Sequence, residues 1–139
     1  MRAAILNVPA RASLRPLEIA SVPQPELRPG HVLISPDGRR LVGTRVGPNA
    51  GPSYLDGFRI GSDGRLTAAP GSPFAAQRIG PFGSAFSPTH GNQLFVSNAH
   101  DGVNAGSVSV YDVAPDGSLN AITGSPFADL QTAPCWVAM

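Results

Sequence analysis

One cysteine, Cys135, and one tryptophan, Trp136, stand among 139 residues, and apolar residues never run together for more than a handful. A lone cysteine excludes an intramolecular disulfide and cannot define a zinc site. Its expected role is that of a small buried hydrophobe in a strand. Nothing approaches the ~20 apolar residues that a membrane-spanning helix requires. Ala3-Ala4-Ile5-Leu6 behind Met1-Arg2 is broken at Asn7 and Pro9, too soon for the apolar centre of a signal peptide. The expected location is therefore cytoplasmic, unless the native start lies elsewhere. Ten Lys and Arg against nine Asp and Glu leave a formal charge of +1, with no basic block. That excludes the electrostatic footprint of a nucleic-acid partner. Gly-rich phosphate loops, Cys/His metal spacings and nucleophile elbows are also missing, so neither a cofactor nor a metal is expected.

What the chain does have is glycine and proline, 16 and 15 of them, set at repeated places between short apolar runs. They read as turn chemistry rather than as a disordered tract. Gly71-Ser72-Pro73-Phe74-Ala75 returns as Gly124-Ser125-Pro126-Phe127-Ala128, displaced by 53 residues. Asp63-Gly64 and Leu66 return as Asp116-Gly117 and Leu119, and Phe58 and Ile60 as Tyr111 and Val113, at the same displacement. Ser35-Pro36 returns as Ser87-Pro88 one residue sooner. A period near 50 residues falls in the range of propeller blades rather than helical repeats.

Each unit reads as four short strands. In the first, 31 to 34, 40 to 44, 54 to 60 and 65 to 69 are strands, with tight turns at Ser35-Pro36-Asp37-Gly38 and Gly61-Ser62-Asp63-Gly64. Period two puts Tyr54, Asp56, Phe58 and Ile60 on one face. In the second unit Val108 and Val110 point one way and Tyr111 and Val113 the other, the mark of a sheet covered on both sides. Four antiparallel strands covered on both faces make a propeller blade. An eight-stranded β-sandwich is the alternative, although it does not call for matched turns at a fixed period. The expected organisation is an N-terminal segment at 1–30, holding an outer strand near 13–17 and a Pro-rich connector, then blades at 31–82 and 83–133. Residues 134–139 should begin a third blade as its innermost strand, with Trp136 packed inside. The Gly-Ser-Pro-Phe segments should be the crossings between blades.

Laid out in this way, the chain resembles the lactonase-type seven-bladed β-propellers, the group that includes 6-phosphogluconolactonase and 3-carboxymuconate cyclase-like proteins. The resemblance is carried by Ser35-Pro36-Asp37-Gly38-Arg39-Arg40-Leu41-Val42, the Asp-Gly-x-Leu turns at 63–66 and 116–119, the two Gly-Ser-Pro-Phe segments, and Ala133-Pro134-Cys135-Trp136-Val137. It implies an all-β fold, a partial β-propeller of about two and a half blades, and a parent hydrolysing a sugar or organic-acid lactone. A fragment of that size is expected to be inactive by itself. A non-catalytic propeller module that binds a protein or a small ligand is the alternative function.

An arc of blades leaves two sheets bare. If each bare face exposes on the order of 500 Å² of apolar surface, the loss is roughly 12 kcal/mol per face at ~25 cal/mol per Å². A fragment of a longer chain is the expected explanation, and self-association through those faces is the alternative. In a blade the loops from strand two to three open on the face opposite the tight turns, and long loops on a rigid scaffold carry function. These loops are 45 to 53 and 99 to 106. His100 there has the chemistry of a general base, Asp101 can orient it, and Arg45 can grip a carboxylate or phosphate. His31 and His90 are placed less favourably, on an inner strand and a tight turn. Asp101, Gly102, Asn104 and Gly106 look like a calcium loop but lack its spaced carboxylates and terminal Glu.

Overall fold

The computed structural model describes residues 2–6, 17–21, 32–48 and 51–139. His31 and residues 13–16, which the sequence marks as strand residues, lie outside them. Near the N-terminus β1 (Arg2–Leu6) pairs antiparallel with β2 (Leu17–Ser21), where the sequence suggests one outer strand and a connector.

The Asp-Gly turns set the register of the strands they join. Gly38 N–H donates to the Ser35 carbonyl, Gly64 N–H to that of Gly61 and Gly117 N–H to that of Ala114. In each turn the Asp carboxyl accepts the N–H two residues on: Arg39 for Asp37, Arg65 for Asp63, Ser118 for Asp116. This Asx geometry replaces a backbone acceptor with a side chain and closes the hairpin. Two antiparallel sheets result. The first orders β3 (Val32–Ile34), β4 (Arg40–Arg45), β5 (Tyr54–Ile60) and β6 (Leu66–Ala68), with β7 (Phe74–Ala75) also on β5. The second repeats this with β8 (Pro81–Phe86), β9 (Gln93–Asn98), β10 (Ser107–Val113), β11 (Leu119–Ala121) and β12 (Phe127–Ala128). Among the described residues there is no α-helix. The protein is all-β, with two blade-like sheets.

The period holds at the level of individual pairs. Leu41 opposite Phe58 becomes Leu94 opposite Tyr111, Gly43 opposite Asp56 becomes Val96 opposite Ser109, and Ile34 opposite Leu41 becomes Phe86 opposite Leu94. Along β10, Ser107, Ser109, Tyr111 and Val113 are buried on the face toward the first sheet, whereas on the other face Val110 is buried, Val108 half-buried and Asp112 exposed, so the two-sided cover that its apolar pattern predicts is partial.

Gly-Ser-Pro-Phe does something other than cross between sheets. β6 and β7 pair with opposite ends of β5, so the motif is an outward bulge within one interrupted outer strand. The interruption would strand an N–H on β5, and the serine hydroxyl takes it. Gly57 N–H donates to Ser72 Oγ at 3.0 Å, and one period later Val110 N–H donates to Ser125 Oγ at 2.8 Å. Both Ser-Pro peptides are cis, and Gly71 and Gly124 bend the chain with φ of 83° and 85°, which a side chain would disfavour.

The core lies between the sheets. Val42 and Leu55 of the first sheet meet Leu94, Val96, Tyr111, Val113 and Leu119 of the second, with Leu33, Phe74 and Phe86 closing the margins. Polar bonds cross the same seam: Arg40 Nη1 donates to the Val113 carbonyl at 2.9 Å, and Thr44 Oγ1 to that of Phe82. Gln77, in the true crossing, clamps Ser125. Its Nε2 donates to the Ser125 carbonyl, and Ser125 Oγ donates to Gln77 Oε1.

Residues 134–139 form no strand, unlike the expected inner strand. They lie beside β8, close enough that a Cβ on Gly83 would sit 2.3 Å from the Cys135 carbonyl oxygen. Trp136 is 75% exposed and meets Phe82 edge to face, so the expected buried packing role does not hold. Cys135 is half-buried outside any strand, its thiol donating to the Ala133 carbonyl.

Ser72→Ala should cost about 1–3 kcal/mol by leaving the Gly57 N–H without an acceptor. Ser125→Ala should cost more, because the Gln77 clamp fails with it. Urea unfolding midpoints of the two variants test both the sign and the order.

Candidate functional site

The end of the second sheet where β10 begins carries a cavity of about 280 Å³. It is lined by Arg78, Asp101, Asn104, Ala105, Gly106, Ser107, Pro126 and Ala128. Its walls come from three pieces of chain: the crossing at 78, the β9–β10 loop and the bulge before β12. The C-terminal segment holds the loop in place. Gly106 N–H donates to the Gln131 carbonyl, Asp129 N–H to the Gly106 carbonyl, and Asn104 N–H to Thr132 Oγ1.

Asp101 anchors the cavity. Its Oδ1 accepts the Ile79 N–H at 3.2 Å, which ties the loop to the crossing. Its Oδ2 is buried and has no partner among the described residues. A buried carboxyl oxygen without a donor is costly, so a group that donates to it gains more than an exposed partner would. Arg78, exposed at the rim, adds the opposite charge.

Just beneath the loop is a small polar cluster on β9 and β10. Asn98 Nδ2 donates to Ser107 Oγ at 3.0 Å and Ser109 Oγ at 2.9 Å, while Asn98 Oδ1 is buried without a partner among the described residues. Tyr111 follows on the same face. Burial pushes its phenol pKa up, opposed by hydrogen bonds from the Gln77 N–H and with Ser109.

The three residues singled out in the sequence do not come together. His100 is exposed, and its ring lies across Gly80: a Cβ there would be 2.6 Å from the imidazole Cγ. Gly80 holds a φ of 71°, so the close approach and the backbone both require glycine. His100 does not line the cavity that Asp101 lines. No hydrogen bond joins Asp101 to the His100 ring among the described residues: Oδ1 accepts the Ile79 N–H, and Oδ2 has no partner.

Arg45 ends β4, and its guanidinium grips Asp56 of the neighbouring strand through Nε and Nη2, each at 3.2 Å. It also stacks 4.7 Å from the centre of the Tyr54 ring. With its fork and its flat face both engaged, Arg45 braces a sheet face. Among the described residues no three His, Cys, Asp or Glu side chains gather as a metal cage.

Sequence reasoning passed over Arg78 and Ser107, and treated Asn104 only as part of a false calcium loop. Their positions in a crossing and a two-to-three loop were the available signal. Compared with known proteins, the chain matches no family model, no curated protein and no solved structure.

Asp101→Ala removes the acceptor of the Ile79 N–H and should destabilise the fold by about 1–3 kcal/mol. Asp101→Asn keeps a carbonyl acceptor and should cost less. Thermal denaturation compares the two, and amide exchange at Ile79 should rise in the alanine variant alone.

Proposed function

We propose that this chain is an arc of a β-propeller of the lactonase type, and that it binds a small hydroxylated acid or its lactone in the cavity beside Asp101. What supports the arc is the way the two sheets meet. The first sheet presents its Val42–Leu55 face, here termed forward. The second receives it on the Leu94–Tyr111 face, here termed rear. Position by position these are different faces of one repeat, since Leu94 and Tyr111 correspond to Leu41 and Phe58 on the first sheet's own rear face.

Such a contact is heterologous, head to tail, and continues until a ring closes or a partner caps it. On the rear face of the first sheet Ile34 is 54% exposed and Phe58 and Ile60 are half-buried, with Leu41 buried between Ile34 and Phe58. A forward face remains on the second, with Phe95 and Val108 half-buried. These are the surfaces that further blades of the same repeat would cover.

The single observation behind the binding reading is Asp101 in the cavity wall, whose Oδ2 is buried and has no donor among the described residues. A ligand hydroxyl supplies one, Arg78 suits a carboxylate, and Asn104 and Ser107 add adaptable donors and acceptors. In an enclosed site such a group stabilises a ligand whose hydroxyls and acid group match it. Hydrolysis is the second reading and rests on the resemblance. Opening a lactone needs a base for water and donors for the developing oxyanion. His100 does not line the cavity, so a base and its partners would have to come from other blades.

Three measurements test this. Light scattering on this 139-residue chain should show concentration-dependent association, and Ile34→Asp should weaken it. A compact monomer in both would sink the arc. Titration with gluconate, followed by amide resonances, should perturb Asp101, Asn104 and Ser107, with Asp101→Asn weakening binding about tenfold. A sugar-acid lactone hydrolysed at the same rate by His100→Ala would remove His100 as the base.

A further inference from the structure

At the opposite end of the sheets, where the tight turns lie, a larger cavity of about 780 Å³ opens between the first sheet and Pro115 of the second. Its lining includes Asp37, Arg39, Arg40, Arg59 and Ser62. Three guanidinium groups therefore face one carboxylate in a chain whose overall formal charge is only +1. Arg40 and Arg59 sit directly opposite each other on the β4–β5 ladder. Like charges in that position destabilise a sheet.

Only one of the three arginines is spent on the fold. Arg40 is buried, with Nη1 on the Val113 carbonyl and Nη2 on Asp37 at 2.9 Å. The Asp37 carboxyl is held below the usual carboxylate range, first by the Ser35 hydroxyl and then by the Arg39 N–H and Arg40, against some burial. It therefore stays charged as the partner of Arg40. Arg39 and Arg59 are exposed, and among the described residues neither guanidinium has an ion-pair partner.

The repeat supplies an internal control. One period later Arg39, Arg40 and Arg59 become Asn92, Gln93 and Asp112, on the same turn and the same ladder. The second sheet forms the same pairs without any arginine, so the blade scaffold does not require the charges. They are particular to one corner, gathered around a cavity in the ~300–1,000 Å³ range of small-molecule sites.

We propose that this corner is an anion site that takes a phosphate or pyrophosphate group of a small molecule. The Arg39 and Arg59 forks would grip its oxygens, the Ser62 hydroxyl would add a donor, and Arg40 with Asp37 would form the fixed floor. A multiply charged phosphate fits better than a single carboxylate, because it offsets both unpaired guanidinium groups at once. The site is separate from the Asp101 cavity and does not depend on that reading.

Calorimetric titration with inorganic pyrophosphate is the test, at low and at physiological salt. Saturable binding should weaken several-fold as salt is raised. Arg39→Gln and Arg59→Gln should each weaken it about five- to tenfold, and the double variant should abolish it. Arg65→Gln, which removes an exposed arginine outside the cavity, should bind like the parent chain. Circular dichroism establishes that the variants fold, which their exposure favours and which Arg40, deliberately left in place, protects. Absence of saturable binding up to about 10 mM, or equal binding by the folded double variant, would overturn the site.

Discussion

The contact between unlike faces of one repeat is the constraint on which the rest of this structure depends. Each sheet is too thin to bury its own apolar residues, so Val42 and Leu55 need Leu94, Val96, Tyr111 and Val113 as their second half. Truncating a fully buried leucine in such a layer typically costs ~2–5 kcal/mol. The faces that meet are unlike positions of the repeat, so the two sheets pair head to tail.

Around that apolar seam the backbone is kept satisfied by short side chains rather than by longer strands. The bulge in each outer strand removes a ladder acceptor, and a serine hydroxyl restores it at the same place in both sheets. The buried Arg40 is held in a similar way: Nη1 donates to a main-chain carbonyl across the seam and Nη2 to the Asp37 carboxylate of its own turn, while Nε has no partner among the described residues. These bonds fix one alignment of the sheets, whereas apolar contact alone would permit sliding.

The two cavities lie where the repeat is broken. The Asp101 cavity and the arginine corner lie at opposite ends of the strands, and each uses residues that the other copy lacks. Asp101, Asn104 and Ser107 have Pro48, Gly51 and Tyr54 one period earlier. Repeated positions carry turns, pairs and packing. Unrepeated polar positions are free of those duties, which is what makes them informative.

Much of the architecture was legible in the chain because its causes are local. A 53-residue period, Asp-Gly turns and period-two alternation dictated the strands, the hairpins and the shared face of Tyr54, Asp56, Phe58 and Ile60, since each depends on neighbours within a few residues. The candidate site was legible only in part. Asp101 does line a cavity, but Arg45 was taken up by Asp56 and Tyr54. Those partners stand 11 and 9 positions away in sequence and come adjacent only through strand register. The Gly-Ser-Pro-Phe bulge, the exposed Trp136 and the meeting of Arg40 with Arg59 were likewise settled by tertiary structure. Hydrogen bonds and charge encounters across a ladder depend on which strands pair and in what register, and no local pattern encodes that.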